Sequence, residues 1–254
     1  MTAGPKIAMV LAAGLGKRMR PITDTMPKPL VRIAGKTLLD WGLDSLAAAG
    51  VEKAVVNVHY LPDQIVAHVA HRQVPKIVIS DERDALLNSA GGIVKALPQL
   101  GAEPFYIINA DTFWIDSGQP SLERLALAWD GAKMDILLML TDLDSATGHS
   151  VGTDFLMAPA GGLRRSKGDP AGLIYAGAAI VDPAIFKDAP AGAHSLNAYF
   201  DQAIASGRLF GMQMRGRWIT VGTPDAIPQA EAAVADALAA SARKSGSIFG
   251  KHDA

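Results

Sequence analysis

The chain has 254 residues, 49% of them hydrophobic, with a net charge of -1 and no cysteine. That length holds a sizeable core, in one large domain or two intimate ones. The near-zero charge excludes a general basic field for gathering nucleic acid, and the missing cysteine excludes disulfides and thiolate metal sites.

Residues 1–6 lack the apolar core of a signal peptide. The longest apolar run, residues 136–140, is far too short to cross a membrane. A cytoplasmic protein with no membrane segment is therefore expected. Ile7-Ala8-Met9-Val10-Leu11 reads as a buried strand bounded by glycine. The loop after it, Ala12-Ala13-Gly14-Leu15-Gly16-Lys17-Arg18-Met19-Arg20-Pro21, carries two glycines and three cations. Glycine lets backbone N–H groups approach a ligand closely, and the cations favour a polyanion such as a nucleoside triphosphate.

Residues 30–33 form a short extended piece that turns at Ala34-Gly35. A helix over 37–49 follows, with Thr37 and Asp40 at capping-box spacing and Gly50 closing it. Residues 53–58 are a strand, and Pro62 opens a helix through about residue 70. Residues 76–80 make a third strand. Leu87-Asn88-Ser89-Ala90-Gly91-Gly92 runs into a helix from Gly91 to Leu97, with Asn88 or Ser89 as its cap. The same turn offers bare backbone to a base or a phosphate. Residues 105–109 are a buried strand emerging at Ala110-Asp111, where α/β sheets bind ligands. A helix over 121–129 and a strand over 135–140 come next.

The glycine-, serine- and aspartate-rich stretch 148–172 is expected to hold short antiparallel strands, followed by a strand over 173–181 and a helix over 196–205. Residues 217–222 are a strand ending in a turn, Pro224 opens an alanine-rich helix capped by Thr223, and the polar residues 244–254 are expected to fray. Such alternation argues for an α/β, Rossmann-like three-layer α/β/α fold with a mostly parallel, mixed central sheet.

Two familiar phosphate motifs fail on the glycine loop. Met19 holds the third glycine position of a dinucleotide fingerprint, and Lys17 is followed by Arg18 rather than the Ser or Thr of a Walker loop. A distinct phosphate-binding loop remains, with an exposed basic turn as the bland alternative. Asp111 is an oxygen ligand for a hard cation or a simple turn cap. The six histidines show no metal-ligand spacing, and no Ser/His/Asp set stands out.

Leu11-Ala12-Ala13-Gly14-Leu15-Gly16-Lys17-Arg18-Met19-Arg20-Pro21-Ile22-Thr23, then Pro27-Lys28-Pro29-Leu30, resembles the signature of the sugar-1-phosphate nucleotidyltransferases. A glycine run, Asn109-Ala110-Asp111 and Trp218-Ile219-Thr220-Val221-Gly222-Thr223 follow in the order of that family. The resemblance spans residues of about 6–235. It is strongest to the short uridylyltransferases acting on N-acetylmuramate 1-phosphate in peptidoglycan recycling, with mannose-1-phosphate guanylyltransferases as relatives. It implies one nucleotidyltransferase domain over 1–254, GT-A-like, with no C-terminal β-helix, since no hexapeptide repeat appears.

The resemblance implies UTP and N-acetylmuramic acid 1-phosphate as substrates, with GTP and mannose 1-phosphate as the alternative, and a non-catalytic nucleotide-binding regulator as a third reading. It implies Arg18, Lys28 and Asp111 as catalytic, with Asp111 carrying Mg²⁺. Leu11, Ala12, Ala13, Gly14, Gly16, Lys17, Arg18 and Lys28 would hold the nucleotide's phosphates. Asn88, Ala90, Gly91, Gly92 and Asn109 would line the nucleoside. Asn109, Asp154, Gly177 and Thr220 are the sugar-side candidates. Arg164, Arg165 and Lys167 are candidate cations for the lactyl carboxylate of muramic acid, with a solvated loop as the plainer reading.

Two departures bear on the metal. Thr220 stands where the family commonly has a second aspartate ligand, and Asn88 stands where the short branch has glutamate. Asp116 or Asp154 would be substitutes. A monomer or homodimer is expected, with no nucleic-acid or membrane partner.

Overall fold

Strand β1 (Ile7–Leu11) lies deep in the main sheet because Ala8, Met9 and Val10 are all fully buried. A computed structural model describes residues 4–249, with side chains through residue 240. After β1 the chain makes three short 3₁₀ turns, then a small hairpin of β2 (Arg32–Ile33) and β3 (Lys36–Thr37). Helix α1 (Leu38–Ala48) starts at Thr37, whose Oγ1 accepts from the Asp40 N–H at 3.0 Å. The hydroxyl donates in turn to Asp40 Oδ2 at 2.7 Å, so Thr37 caps the helix as expected, but Asp40 takes the Thr37 hydroxyl and not its backbone N–H, and the reciprocal box does not close.

β4 (Lys53–Val58), α2 (Pro62–Val69), β5 (Lys76–Asp81), α3 (Asn88–Leu100) and β6 (Phe105–Asn109) complete the alternating half. β7 (Thr112–Asp116), α4 (Ser121–Ala128), β8 (Ile136–Thr141) and β9 (Ala146–Thr147) follow. β10 (Phe155–Met157) and β11 (Leu163–Arg165) pair antiparallel, as the composition of that stretch predicts. β12 (Ile174–Val181), α5 (Asn197–Ala205), β13 (Leu209–Gln213), β14 (Gly216–Thr220) and α6 (Ala226–Phe249) end the described chain.

The main sheet has the order β13-β8-β12-β6-β1-β4-β5. All its pairings are parallel except the two made by β12, so the sheet is mixed and mostly parallel. Period-two alternation sends β1 side chains to opposite faces. Ala8 and Val10 join Leu39, Leu43 and Leu46 of α1 and Ile65 of α2, whereas Met9 joins Ile93 of α3 and Phe200 of α5. Helices thus cover both faces, giving the three-layer α/β/α fold.

A second sheet, β7-β14-β9, stands beside the first and carries a third core with α6. Met19 is fully buried there with Phe113, Ile219 and Val234, which explains an apolar side chain inside a basic loop. Three expectations are corrected. β7 and β13 are strands the sequence pattern did not announce. α6 begins at Ala226, where the Ala226 N–H donates to the Thr223 carbonyl, two residues after Pro224. It also runs through Phe249, past Lys244 where fraying is expected, while residues 250–254 lie outside the described part. Among the described residues no helix is long and apolar enough to cross a membrane.

Candidate active site

The carboxyl ends of β1 and β6 open into a cleft of about 590 Å³. The parallel pairing Leu11↔Asn109 brings the two strand ends side by side. The cleft is lined by residues 11–14 after β1, by Lys28 and Pro29, and by Asn109, Ala110 and Asp111 after β6. At one end Lys28 Nζ donates to Asp111 Oδ2 at 2.7 Å. The Lys28 side chain is only 11% exposed, whereas that of Asp111 is 39% exposed, so the carboxylate is the more open of the two.

Gly16 bends the loop over Lys28. Its φ of 61° is left-handed, and an added Cβ would lie 3.1 Å from Lys28 Cβ. Thr23 Oγ1 donates to the Gly16 carbonyl at 2.8 Å and fixes the bend. A Cβ on Gly14, by contrast, would meet nothing within 4 Å, so the space above it is open. Lys17 and Arg18 are exposed on the following 3₁₀ turn. The Arg18 guanidinium lies against Gly222, where an added Cβ would be 3.6 Å from Nη1. The Val221 N–H donates to the Asp111 carbonyl at 3.3 Å. The 221–223 turn therefore links Arg18 to Asp111, and Thr220 sits beside them, paired with Thr112.

The other end of the cleft is uncharged, lined by Leu86, Asn88, Ser89 and Ala193 together with the buried Asn57. Asn88 is exposed at φ 61°, a left-handed conformation that asparagine tolerates, and its Oδ1 accepts from the Ser89 N–H. Neither Asn88 nor Ser89 caps α3 through its side chain: the Ala90 and Gly91 N–H groups donate to the His194 carbonyl at 3.0 and 3.2 Å. Ala90, Gly91 and Gly92 are buried and do not line the cleft. They are small because the chain is crowded there. A Cβ on Gly91 would fall 2.5 Å from the Gly192 carbonyl oxygen, and one on Gly92 would fall 2.6 Å from Glu82 Oε1.

The sugar-side candidates are dispersed. Asn109 lines the cleft, and a Cβ on Gly177 (φ 77°) would lie 3.2 Å from Asn109 Nδ2 and 2.5 Å from Thr112 Oγ1. Gly177 thus makes the close approach of β12 to β6 and β7 feasible, at the irregularity between Tyr175 and Ala179. Asp154 is exposed and accepts from the Tyr175 N–H at 2.8 Å. Arg165 is committed elsewhere: its Nε donates to Asp201 at 2.8 Å and its guanidinium lies 4.8 Å from the Phe155 ring.

Asp116 is excluded as a partner of Asp111. It lies at the far end of β7, and at roughly 3.3 Å per residue the strand carries it roughly 13 Å beyond Thr112. Its Oδ1 accepts from Ser121 instead, and burial raises its pKa against those hydrogen bonds. Among the described residues no group of three His, Cys, Asp or Glu side chains could hold a metal. Asp111 alone still suits Mg²⁺, which takes one or two carboxylates and fills its shell with phosphates and water.

Sequence reasoning missed Asn57, Glu82 and Ala193. Asn57 and Glu82 are 25 residues apart and meet only through the β4–β5 pairing.

A mixed, mostly parallel sheet with a cleft at the ends of β1 and β6, lined by Gly14, Lys28 and Asp111, is the architecture of the nucleotidyltransferase class. Residues 8–158 match the family described as MobA-like NTP transferase domain, and the chain belongs to that family. It is 46% identical over 244 residues to the N-acetylmuramate alpha-1-phosphate uridylyltransferase of Caulobacter vibrioides, covering 93% of this chain and 100% of that protein. The protein of the same name from Neisseria meningitidis serogroup B is 32% identical over 228 residues, covering 89% and 96%. The inositol-1-phosphate CTP transferase from T. maritima shares the fold, with a TM-score of 0.73 at 19% identity over 89% of this chain and 92% of that one.

Proposed function

We propose that the protein joins UTP to N-acetylmuramic acid 1-phosphate, forming the UDP-sugar and pyrophosphate, as a cytoplasmic step in reuse of peptidoglycan sugars. The observation that carries this reading is the convergence of Gly14, Lys28 and Asp111 in one cleft, with Arg18 tied to it through the 221–223 turn. The identity to uridylyltransferases over nearly the whole chain supports the choice of base and sugar.

The chemistry needs little beyond position and charge. A phosphate oxygen of the sugar 1-phosphate, already anionic at pH 7, attacks the α-phosphorus of the triphosphate. The new O–P bond forms as the bond to the β-phosphate breaks, and pyrophosphate leaves with the electron pair. No general base is required. The barrier lies in bringing polyanions together in line and stabilising the charge on the leaving group. Gly14 and Gly16 bring main chain close to the triphosphate, and Lys17 and Arg18 face the leaving pyrophosphate. Lys28, held against Asp111, would present a cation to phosphate at the same place. Asp111 would hold Mg²⁺, which supplies further neutralisation of phosphate charge. Of the sugar-side candidates Asn109 lines the cleft and would meet the sugar 1-phosphate first, with Thr220 beside Thr112 next to it.

Pyrophosphate release tests the reading. UTP with N-acetylmuramic acid 1-phosphate and Mg²⁺ is expected to turn over, and EDTA to stop it. Turnover only with GTP and mannose 1-phosphate would reassign the substrates. Nucleotide binding without turnover under any pairing would make the protein a regulator.

A further inference from the structure

Glu82 is fully buried, and among the described residues its carboxyl group forms no salt bridge. Its Oε1 accepts from Asn57 Nδ2 at 2.7 Å and its Oε2 from the Leu87 N–H at 3.2 Å. Asn57, 2% exposed, accepts on Oδ1 from the Ala12 N–H at 2.7 Å. One chain of three hydrogen bonds thus runs from the β1 loop, through the end of β4, to the turn before α3. It joins the two walls of the cleft at its uncharged end, where Leu86 and Ala193 face the opening. Gly92 is part of the same device, since any side chain there would strike both Glu82 and Asn57.

Burying a polar side chain with no counter-charge is costly unless its hydrogen bonds are made. The hydrogen bonds and the nearby amino end of α3 offset part of that cost. What the arrangement gains is a main chain held in one place on both sides of the cleft. We propose that Glu82 and Asn57 are positioning residues that set affinity for the nucleoside end of the triphosphate, acting through the Ala12 and Leu87 main chain. The inference rests on the nucleotide site proposed above. It does not depend on which sugar is used.

The test exploits the polarity of the link. In Glu82→Gln the introduced amide must point a donor at either the Asn57 amide or the Leu87 N–H. In Asn57→Asp two carboxylates face each other. In the double variant Asn57→Asp/Glu82→Gln every bond can re-form: the new amide donates to the new carboxylate, which still accepts from Ala12, and the amide oxygen accepts from Leu87. UTP affinity is measured by calorimetry well below each protein's melting temperature. Each single variant is expected to weaken UTP binding by roughly ten- to a hundredfold, the scale of one buried polar group left unpaired. The double variant is expected to recover most of that loss, while the KM for sugar 1-phosphate stays put in all three. A merely structural role would lower melting temperature without this split. If Glu82→Gln does not fold, Asn57→Ser, which shortens the same link, is read in its place. Wild-type affinity in the single variants, or a double variant no better than either, overturns the inference. A wild-type protein that binds no nucleoside triphosphate overturns the nucleotide site itself, and is a different result.

Discussion

The two ends of the cleft are built on opposite principles. At the phosphate end the charged groups keep bonding capacity in hand: Lys17 and Arg18 are exposed, Gly14 faces open space, and the Asp111 side chain is 39% exposed. At the uncharged end the polar groups are spent on the protein: Asn57 is 2% exposed, Glu82 is fully buried, and the first N–H groups of α3 end on the His194 carbonyl. Groups that meet a ligand must have free donors and acceptors, whereas groups that hold main chain must have none. The same residue type therefore does different work at the two ends, and glycine shows it best.

Mutation can break or sharpen this contrast. Arg18→Ala is expected to lower turnover by roughly two to three orders of magnitude, the scale of a lost transition-state donor, with melting temperature unchanged. Turnover near wild type, measured by pyrophosphate release, removes Arg18 from the reaction. Asp111→Asn is expected to abolish the response of activity to added Mg²⁺ while the protein stays folded. A variant that unfolds would instead make Asp111 chiefly the structural counter-ion of the buried Lys28.

Gly92→Ala is expected to cost about 1–3 kcal/mol of stability by overpacking, read by denaturant melts, because its methyl would strike Glu82 and Asn57. Gly14→Ala is expected to leave stability within about 0.5 kcal/mol while weakening UTP binding. Equal stability losses at the two glycines would erase the distinction between the two ends.

The smallest effect lies away from the cleft. Asp44 is partly desolvated, which raises its pKa, but hydrogen bonds from Lys36 and Arg72 outweigh this and hold it below the usual carboxylate value. A lowered folded-state pKa means its contribution is present above the ordinary Asp range and is lost as pH falls through the folded value. Lys36→Met is expected to shift the acid limb of the stability curve slightly toward higher pH, and less at high salt. No shift at low salt would leave this ion pair without a share in stability.

The phosphate end was legible in the sequence because its parts are contiguous. Glycines and cations follow an apolar strand directly, and Lys28 and Asp111 each sit in short, distinctive stretches. The alternation of strands and helices likewise announced the three layers. The uncharged end was legible only in part. Ala90, Gly91 and Gly92 read as a ligand surface, since bare backbone looks alike whether it meets a base or the Gly192 carbonyl. The Asn57–Glu82 link has no sequence signal, because Glu82 lies just past β5 and 25 residues from Asn57, and only the β4–β5 pairing brings them together. β7 was hidden by its position, as Thr112 follows Asp111 without a loop, and β13 by Gly211 in its middle. Asp116 looked like a spare metal ligand until the direction of β7 carried it away.

Everything turns on where a nucleoside triphosphate lies. A crystal structure with Mg²⁺ and a non-hydrolysable UTP analogue measures that directly. It should place the phosphates over Gly14 and beside Lys28, metal on Asp111, and the nucleoside toward Asn57 and Asn88. Phosphates bound on another face of the sheet, with Lys28 still on Asp111, would contradict it.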